Sequence, residues 1–138
     1  MKHFNKDSRD YSFIDTLEAG IALTGSDVKS LRTQVPQYKN SKVEIVNGIP
    51  YLQNLYIPPY KYSQSQLQDT TRDRQLLLSK KQISKLLSLR NQKYMLIPIS
   101  IYLNGHFFKV EIGVGRKMRK YEKREKIKAK ENAKKIRV

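Results

Sequence analysis

The chain has 138 residues, 38% of them hydrophobic, which is enough for one modest core and predicts a single domain. Its 28 Lys and Arg residues against 12 Asp and Glu give a formal net charge of +16, which favours a polyanion, above all nucleic acid, as the partner. The absence of cysteine excludes disulfides, thiolate metal sites and cysteine nucleophiles. No apolar run suits a signal peptide or a membrane span, so we expect a cytoplasmic protein.

The N-terminal third predicts strands followed by a short helix. Between residues 11 and 23, apolar residues partly alternate with polar or small ones, a period typical of half-buried strands, and we predict two strands there. Ser26 is the predicted N-cap of a helix, with Asp27 favourably placed in its first turn. That helix should end near Gln34, because Pro36 cannot continue it.

The next segment predicts an antiparallel hairpin and then an exposed loop. Strand-like residues 42–46 and 51–57 flank Asn47-Gly48, a dipeptide suited to the positive φ angles of a tight turn. Beyond them, the run 63–73 is rich in Gln, Ser and Thr and cannot pack a core. We therefore expect a long exposed loop.

A second helix and a second hairpin complete the predicted body. Ser79 can cap a helix that runs to about Arg90. Residues 95–103 and 106–114 then flank Asn104-Gly105, and Pro98 indicates an edge position or a bulge in the first of these strands. The result is a mainly β protein with six short strands and helical insertions, for which an antiparallel β-barrel of OB-fold type is the best match.

The composition changes near Gly115. Residues 116–138 contain 12 Lys or Arg and 3 Glu, hence a net charge of +9, with too few apolar residues for a core stripe. We therefore predict two units: an RNA-binding barrel at residues 1–115 and a basic tail at residues 116–138. The tail should be disordered in the free protein, although its many good helix formers would allow a polyanion to order it as a helix.

Aromatic side chains offer a second kind of RNA contact. Tyr56, Tyr60 and Tyr62 cluster around a Pro-Pro pair beside the predicted loop, where they could stack on unpaired bases. The strand aromatics Tyr51, Phe107 and Phe108 are better explained as parts of the barrel wall.

Signals for catalysis are weak. The chain has two histidines, His3 and His106, and they are far apart in sequence and lack a neighbouring carboxylate cluster, so a metal site or a Ser/His/Asp arrangement lacks its parts. The acidic residues Glu18, Asp27 and Asp69 form no repeated pair of the kind a metal-dependent nuclease needs. We therefore predict a binding protein that is not an enzyme and has no metal or other cofactor.

Residues 18–32 resemble a family motif. They read EAGIALTGSDVKSLR, which is similar to the pattern E-A-G-I-x-L-x-G-x-E-V-K-S-L-R of the SsrA-binding protein family, with Asp27 in place of the second Glu. Further similar segments follow the family's order and spacing at residues 5–6, 47–48, 72–78, 109–114 and 121–124. The resemblance therefore covers nearly the whole chain.

The resemblance implies a role in trans-translation. Its members have an OB-like barrel that binds the tRNA-like domain of transfer-messenger RNA (SsrA), largely by shape and phosphate contacts, and they deliver this RNA to stalled ribosomes. Elongation factor Tu would be a partner in the delivery complex. The basic tail would become helical on small-subunit RNA in the decoding centre and the empty mRNA channel.

The resemblance also implies two sets of site residues. Three positions match family residues implicated in RNA binding, and four nearby cations are our candidates for contacts with the RNA backbone: Asn5, Glu18 and Leu77, then Lys29, Arg32, Arg72 and Arg74. We expect Leu77 to act by packing and Glu18 to orient a cation or accept a hydrogen bond from the RNA. In the tail, the candidates for contact with the ribosome are Lys117, Arg119, Lys123, Arg124, Lys126 and Lys128.

Other functions compete with this interpretation. A small ribosomal protein would share the basic barrel and tail but would bind only ribosomal RNA. A nuclease would need an acidic, metal-binding cluster, and a membrane-surface protein would need a tail with a clear apolar face.

Overall fold

A computed structural model describes the backbone of residues 1–60 and 71–136 and the side chains of residues 1–60 and 71–128. Residues 61–70 and 137–138 lie outside the described part. Tyr62 and most of the predicted loop at 63–73 therefore lie outside it too.

The described residues form seven strands, three α-helices and one 3-10 helix. In chain order these are β1 (Lys2–Phe4), the 3-10 helix (Lys6–Asp10), β2 (Tyr11–Ile21), α1 (Gly25–Thr33), β3 (Lys42–Val46), β4 (Ile49–Gln53), β5 (Arg74–Leu77), α2 (Lys80–Asn91), β6 (Met95–Asn104), β7 (Phe107–Lys117) and α3 (Lys120–Ile136). The strands lie in the order β1-β6-β7-β2-β5-β4-β3, and all neighbours are antiparallel. The sheet curves so that β3 lies against β6, which gives the barrel form typical of OB-like folds.

The predicted mainly β barrel with flanking helices is confirmed, but the strand count changes from six to seven. Residues 11–21 form one long strand instead of two, because a bulge between Phe13 and Asp15 keeps both halves paired with β7. The strands β1 and β5 were not predicted. They span three and four residues, which is too short for a period of two to stand out.

Both predicted hairpins are present, with one shift in the turn. Asn47 and Gly48 have φ angles of 51° and 79° and join the paired residues at the ends of β3 and β4, as predicted. In the second hairpin Asn104 pairs with Phe107, so the turn consists of Gly105-His106 instead of Asn104-Gly105. Gly105 alone takes the positive φ, 64°, which suits a turn that needs glycine at its first position.

The Pro98 and Ser79 predictions are confirmed, whereas the predicted cap of the first helix is wrong. The register of β6 shifts between Pro98 and Ser100, and the Ser79 side chain caps α2 by accepting from the Gln82 amide. The N-cap of α1 is Thr24 instead of Ser26. Because the third helical residue is acidic, Thr24 completes a capping box with it, and Ser26 falls inside the helix.

The core lies inside the barrel and under α1. Its most deeply buried apolar residues include Leu31, Leu52, Leu55, Ile101, Val110 and Ile112. Gly115 of β7 lies directly against β2, where an added Cβ would overlap the Ser12 carbonyl oxygen. Glycine is therefore required at this position of the seam.

The C-terminal segment contains a helix. We predicted that residues 116–138 are disordered in the free protein and can form a helix; here β7 continues to Lys117, and Lys120–Ile136 form α3. Two features favour the helix: its residues are mostly strong helix formers, and side chains near its start are paired with the barrel. Among the described helices, none is long and apolar enough to cross a membrane.

Candidate nucleic-acid interface

A buried ion-pair centre joins α1 to β5. The Arg74 side chain is 0% exposed; its Nε lies 3.3 Å from Asp27 Oδ2, and its Nη1 donates to the Leu55 carbonyl at 2.8 Å. Arg72 donates to the same Asp27 oxygen from a partly exposed position. Burial works against ionisation of Asp27, but hydrogen bonds from Arg72 and Arg74 outweigh it, so the Asp27 pKa lies below its ordinary value.

This geometry corrects the prediction for Arg74. A guanidinium that is fully buried and bonded to a carboxylate and a carbonyl cannot lie on an RNA backbone. Arg74 instead fixes β5 to α1. Arg72 is the half-exposed cation of the pair, and it reaches both Asp27 and the surface.

Asn5 is also a buried residue, at 2% exposure. Its Nδ2 donates to the Pro98 carbonyl at 2.8 Å, and its Oδ1 accepts from the Asp7 amide at 3.1 Å. Asn5 thereby begins the 3-10 helix and ties it to the bulge of β6. Any effect of Asn5 on RNA binding must act through this local structure, since its amide is not at the surface.

Glu18 belongs to a polar cluster on three adjacent strands. Tyr102 of β6 donates its hydroxyl to Glu18, and Lys109 of β7 lies 2.8 Å from the other Glu18 oxygen. The hydrogen bonds from Lys109 and Tyr102 lower the pKa of Glu18. Partial burial, together with the bond to Glu18, raises the pKa of Tyr102 to about 12. The carboxylate is exposed and holds the Lys109 ammonium, and its role in RNA binding stays a prediction.

Leu77 lies beside this cluster on an open apolar groove. The groove encloses about 470 Å³ and is lined by Gly20, Ile21, Leu23, Val28, Leu77, Phe107 and Lys109, among others. Leu77 is 59% exposed, and Phe107 at the hairpin tip is 75% exposed. Gly20 pairs directly with Leu77 on one side and with Lys109 on the other, so the groove and the Glu18 cluster form one continuous surface.

The α1 cations lie on the outer face of that helix. Lys29 and Arg32 are exposed and three residues apart, which places them on neighbouring turns of one face. The Lys29 ammonium sits 5.6 Å from the centre of the Tyr60 ring. Tyr60 therefore shares a surface with a predicted RNA-binding cation, and the half-buried Tyr56 pairs with Gln37 through its backbone.

The base of α3 is held against the barrel by polar contacts. The Met118 amide donates to the Asp10 carbonyl at 2.8 Å, and the Asp10 carboxylate accepts from Lys123. Arg116 and Glu122 form a bidentate ion pair, in which Nη1 lies 3.2 Å from Oε1 and Nη2 lies 2.9 Å from Oε2. The hydrogen bond from Arg116 lowers the pKa of Glu122.

The predicted tail cations fall into two groups. Lys117 is the last residue of β7 and borders a polar cavity of about 240 Å³ that Asp7 and Asp10 also line. Arg119, Lys123, Arg124, Lys126 and Lys128 are exposed at the start of α3 or along it. Of the five, Lys123 has an ion pair with the barrel.

The surface around Glu18 and Leu77 and the start of the tail lie at opposite ends of β2, whereas Asn5 lines the same polar cavity as Lys117. Tyr11 pairs with Lys117 at the tail end, and Gly20 pairs with Lys109 and Leu77 at the other. Nine residue steps of about 3.3 Å separate those ends by about 30 Å along the strand. The structure therefore brings Glu18 and Leu77 together and keeps them apart from the tail.

The described residues give little support to a catalytic site. Among them, no group of three or more His, Cys, Asp or Glu residues could hold a metal ion. His3 Nε2 lies 2.6 Å from the Leu31 carbonyl, a contact that fixes α1 to β1, and His106 is an exposed turn residue.

Sequence reasoning missed several members of these surfaces. Tyr102 and Lys109 carry no signal by themselves, because their contact with Glu18 depends on strand register. Asp10 and Arg116 were likewise not identified as partners of the tail. The assignment of Phe107 to the barrel wall is wrong: this residue follows the Gly105-His106 turn directly, so its side chain lies at the hairpin tip and is 75% exposed.

Comparisons with known proteins agree with the resemblance. Residues 3–138 match the family model described as SmpB protein. The SsrA-binding protein of Lactobacillus acidophilus is 42% identical over 135 residues, covering 96% of this chain and 89% of the relative. That of Streptococcus thermophilus is 42% identical over 134 residues, covering 96% and 87%.

A solved structure gives the same result for the fold. A chain in the structure described as "tmRNA-SmpB: a journey to the center of the bacterial ribosome" superposes with a TM-score of 0.72 at 38% sequence identity, covering 85% of this chain and 84% of that one. The family model, the relatives and the shared barrel confirm the resemblance found from the motif at residues 18–32. The chain belongs to the SmpB protein family.

Proposed function

We propose that this protein binds the tRNA-like domain of transfer-messenger RNA with its barrel and takes it to stalled ribosomes for trans-translation, where α3 contacts ribosomal RNA. One observation carries the proposal: the barrel surface around Glu18 and Leu77 and the basic helix α3 are at opposite ends of β2. A protein that must hold one RNA and probe another needs two such separated surfaces.

The barrel surface suits a folded RNA. Lys29 and Arg32 supply exposed positive charge for phosphates, while Glu18 keeps Lys109 in place. Leu77 offers an apolar contact in the adjoining groove. Such a surface recognises shape and backbone without a base-reading code, as is common for structured RNA. Arg74 supports this surface by fixing β5, which carries Leu77, to α1.

The tail suits a second, larger polyanion. The cations of its described part are exposed on a helix and on the strand end before it: Lys117, Arg119, Lys123, Arg124, Lys126 and Lys128. We propose that they lie on small-subunit RNA near the decoding centre, in the channel that mRNA normally fills. Because mRNA in that channel would exclude the helix, the tail would select ribosomes that lack it.

The delivery step implies further partners. We propose elongation factor Tu as a component of the complex that carries the RNA, by resemblance to the family. The site of action would then be the bacterial cytoplasm. We propose binding, not catalysis, as the whole activity of the chain.

A gel-shift titration tests the first half of the proposal. The protein is titrated against the isolated tRNA-like domain at physiological salt, with bulk tRNA as competitor. Binding that persists in excess tRNA supports the proposal, because counterion release alone acts on any RNA. Equal displacement by any RNA would contradict it and favour a ribosomal protein, which a parallel titration with ribosomal subunits would identify.

A further inference from the structure

The apolar groove beside Glu18 has a bare floor at Gly20. Gly20 of β2 pairs with Leu77 of β5 on one side and with Lys109 of β7 on the other, and all three residues line the groove. A Cβ added at Gly20 would lie 3.2 Å from the Leu77 Cβ, so both residues face the same side of the sheet. Because glycine has no side chain, a flat group can approach the backbone closely there.

Phe107 borders the same groove from the tip of the hairpin between β6 and β7. It lies two residues before Lys109 in β7, so the two side chains project from one face of the sheet. The next residue, Phe108, is buried in the core at 5% exposure, whereas Phe107 is 75% exposed. The fold therefore uses Phe108 for packing and leaves the Phe107 ring open to a partner.

Cations adjoin this apolar groove. Lys109 lines it, as does Val28 of α1, and Val28 is followed in the chain by the exposed Lys29. The occupant should therefore combine a flat apolar surface with negative charge. An unpaired nucleotide does so, because every base has a π face and is joined to phosphate. The volume of about 470 Å³ lies within the range of sites for small organic groups.

We infer that this groove receives one unpaired nucleobase of the bound RNA, stacked on the ring of Phe107 above Gly20 and flanked by Leu77. The inference deepens the proposed function and rests on it for the identity of the RNA. Stacking is tolerant of sequence, so the site holds a base without reading it. The groove thus selects an unpaired nucleotide, whereas the cations of α1 act on any phosphate.

Substitutions at Phe107 test the stack. Phe107→Ala should lower the affinity for the tRNA-like domain about tenfold, while Phe107→Tyr should keep it within about twofold. Phe107→Leu keeps an apolar side chain without an aromatic face, so it should lose most of the affinity too. Unchanged affinity of Phe107→Ala would overturn the inference and favour an apolar segment of a protein as the occupant.

A matched control uses a second exposed apolar residue of the barrel. Ile14 is 56% exposed and lies about 20 Å from Gly20 along β2. Ile14→Ala should leave the affinity for the tRNA-like domain unchanged. An equal loss in Ile14→Ala and Phe107→Ala would contradict a specific site in the groove.

The salt dependence separates stacking from attraction between charges. A stack releases no counterions, so Phe107→Ala should weaken binding equally at every salt concentration and leave the slope of log affinity against log salt unchanged. Lys109→Ala should reduce that slope by about one unit. If Phe107→Ala reduced the slope as much as Lys109→Ala, its effect would come from the neighbouring charge, and the stack would be excluded.

A fluorescent reporter observes the stack directly. The chain has no tryptophan, so Phe107→Trp introduces a single one at the groove. Stacking on a base should quench its emission when the tRNA-like domain binds, and Ile14→Trp should change little. Unchanged emission of Phe107→Trp at saturating RNA, or equal quenching of both variants, would overturn the inference.

A short single-stranded oligoribonucleotide separates this inference from the proposed function. It should quench Phe107→Trp, and a fully paired duplex of the same length should not; equal quenching by both would contradict a site for an unpaired base. If the unsubstituted protein binds the tRNA-like domain no better than bulk tRNA, the proposed function fails, yet quenching by the oligonucleotide would still support the base site. If the tRNA-like domain is bound selectively but neither it nor the oligonucleotide quenches, the inference alone fails.

Discussion

The protein contains two clusters of paired charges, and they differ in burial. At the junction of α1 and β5, Asp27 and Arg74 are buried and bonded to each other. At the base of α3, Arg116 and Lys123 are mostly exposed and face Glu122 and Asp10. A buried pair cannot be exchanged for another partner without unfolding, whereas an exposed pair exchanges readily with phosphate or salt.

Because of this difference in burial, cations with similar sequence surroundings have different roles. Arg74 and Lys123 both precede or follow acidic residues, and both were expected to contact RNA. The structure uses Arg74 to hold the fold, and it leaves Lys123 at the surface within reach of a polyanion. Positive charge in the sequence therefore marks candidates, and burial decides which of them can bind.

Breaking the buried cluster should give the largest effect. Asp27→Ala removes the partner of a fully buried guanidinium and half of the α1 capping box, so the free energy of unfolding should fall by about 3–5 kcal/mol. Urea unfolding followed by circular dichroism measures this. The matched change in the exposed cluster, Glu122→Ala, should leave the urea midpoint nearly unchanged.

A second variant separates the loss of the partner from the loss of the cap. Asp27→Asn keeps an oxygen that can accept from Thr24 and Arg72 but removes the charge, so it should destabilise less than Asp27→Ala. Equal urea midpoints for Asp27→Ala and Glu122→Ala would contradict the contrast between the clusters, because burial would then make no difference.

The exposed cluster should matter for function instead. Lys123→Ala with Arg124→Ala should leave affinity for the tRNA-like domain within about twofold, since the tail is about 30 Å from the barrel surface along β2. Tagging on stalled ribosomes should fall by more than about tenfold if the tail charges contact ribosomal RNA. Lys80→Ala with Lys81→Ala removes the same charge from the start of α2 and serves as the control. Equal loss of both activities would contradict the division between barrel and tail.

The sequence predicted the barrel well because many of its turns and helix caps depend on residues that are close together in the chain. The Asn47-Gly48 turn and the Ser79 cap each depend on residues within a few positions of one another. The cap at Thr24 was missed because Asp27 was assigned to the helix dipole instead of a capping box. The two shortest strands were missed because three or four residues do not establish a period.

The candidate site was only partly predictable for a related reason. Glu18 and Leu77 were identified by family resemblance, and the structure adds Tyr102 and Lys109, which lie more than 80 residues from Glu18 in the chain. Strand register brings them together, and register depends on bulges at Phe13 and Pro98 that the sequence indicated only in the second case. Burial of Asn5 and Arg74 likewise depends on packing between distant segments.

The contribution of the buried cluster to stability should depend on pH. The folded pKa of Asp27 lies below its ordinary value, so its ionised form stabilises the fold above about pH 4, and that stabilisation is lost as the pH falls through the folded pKa. The free energy of unfolding should therefore decrease below about pH 4. For Asp27→Asn this decrease should be shallower, and the two slopes should differ by at most about 1.4 kcal/mol per pH unit. Parallel curves for the two proteins in urea titrations between pH 5 and pH 2 would show that Asp27 is not the group responsible.

The smallest effect should come from a single exposed cation on the barrel. Lys29 has its ammonium above Tyr60 on the outer face of α1, where it can meet one phosphate without disturbing the core. Replacing it with Ala should reduce the slope of log affinity against log salt for the tRNA-like domain by about one unit and leave the urea midpoint unchanged. Lys81→Ala on α2 removes the same charge away from the predicted surface and should leave the slope as it was. If both variants lower the slope equally, the barrel attracts RNA by its total charge, and the surface around Glu18 and Leu77 has no special part in binding.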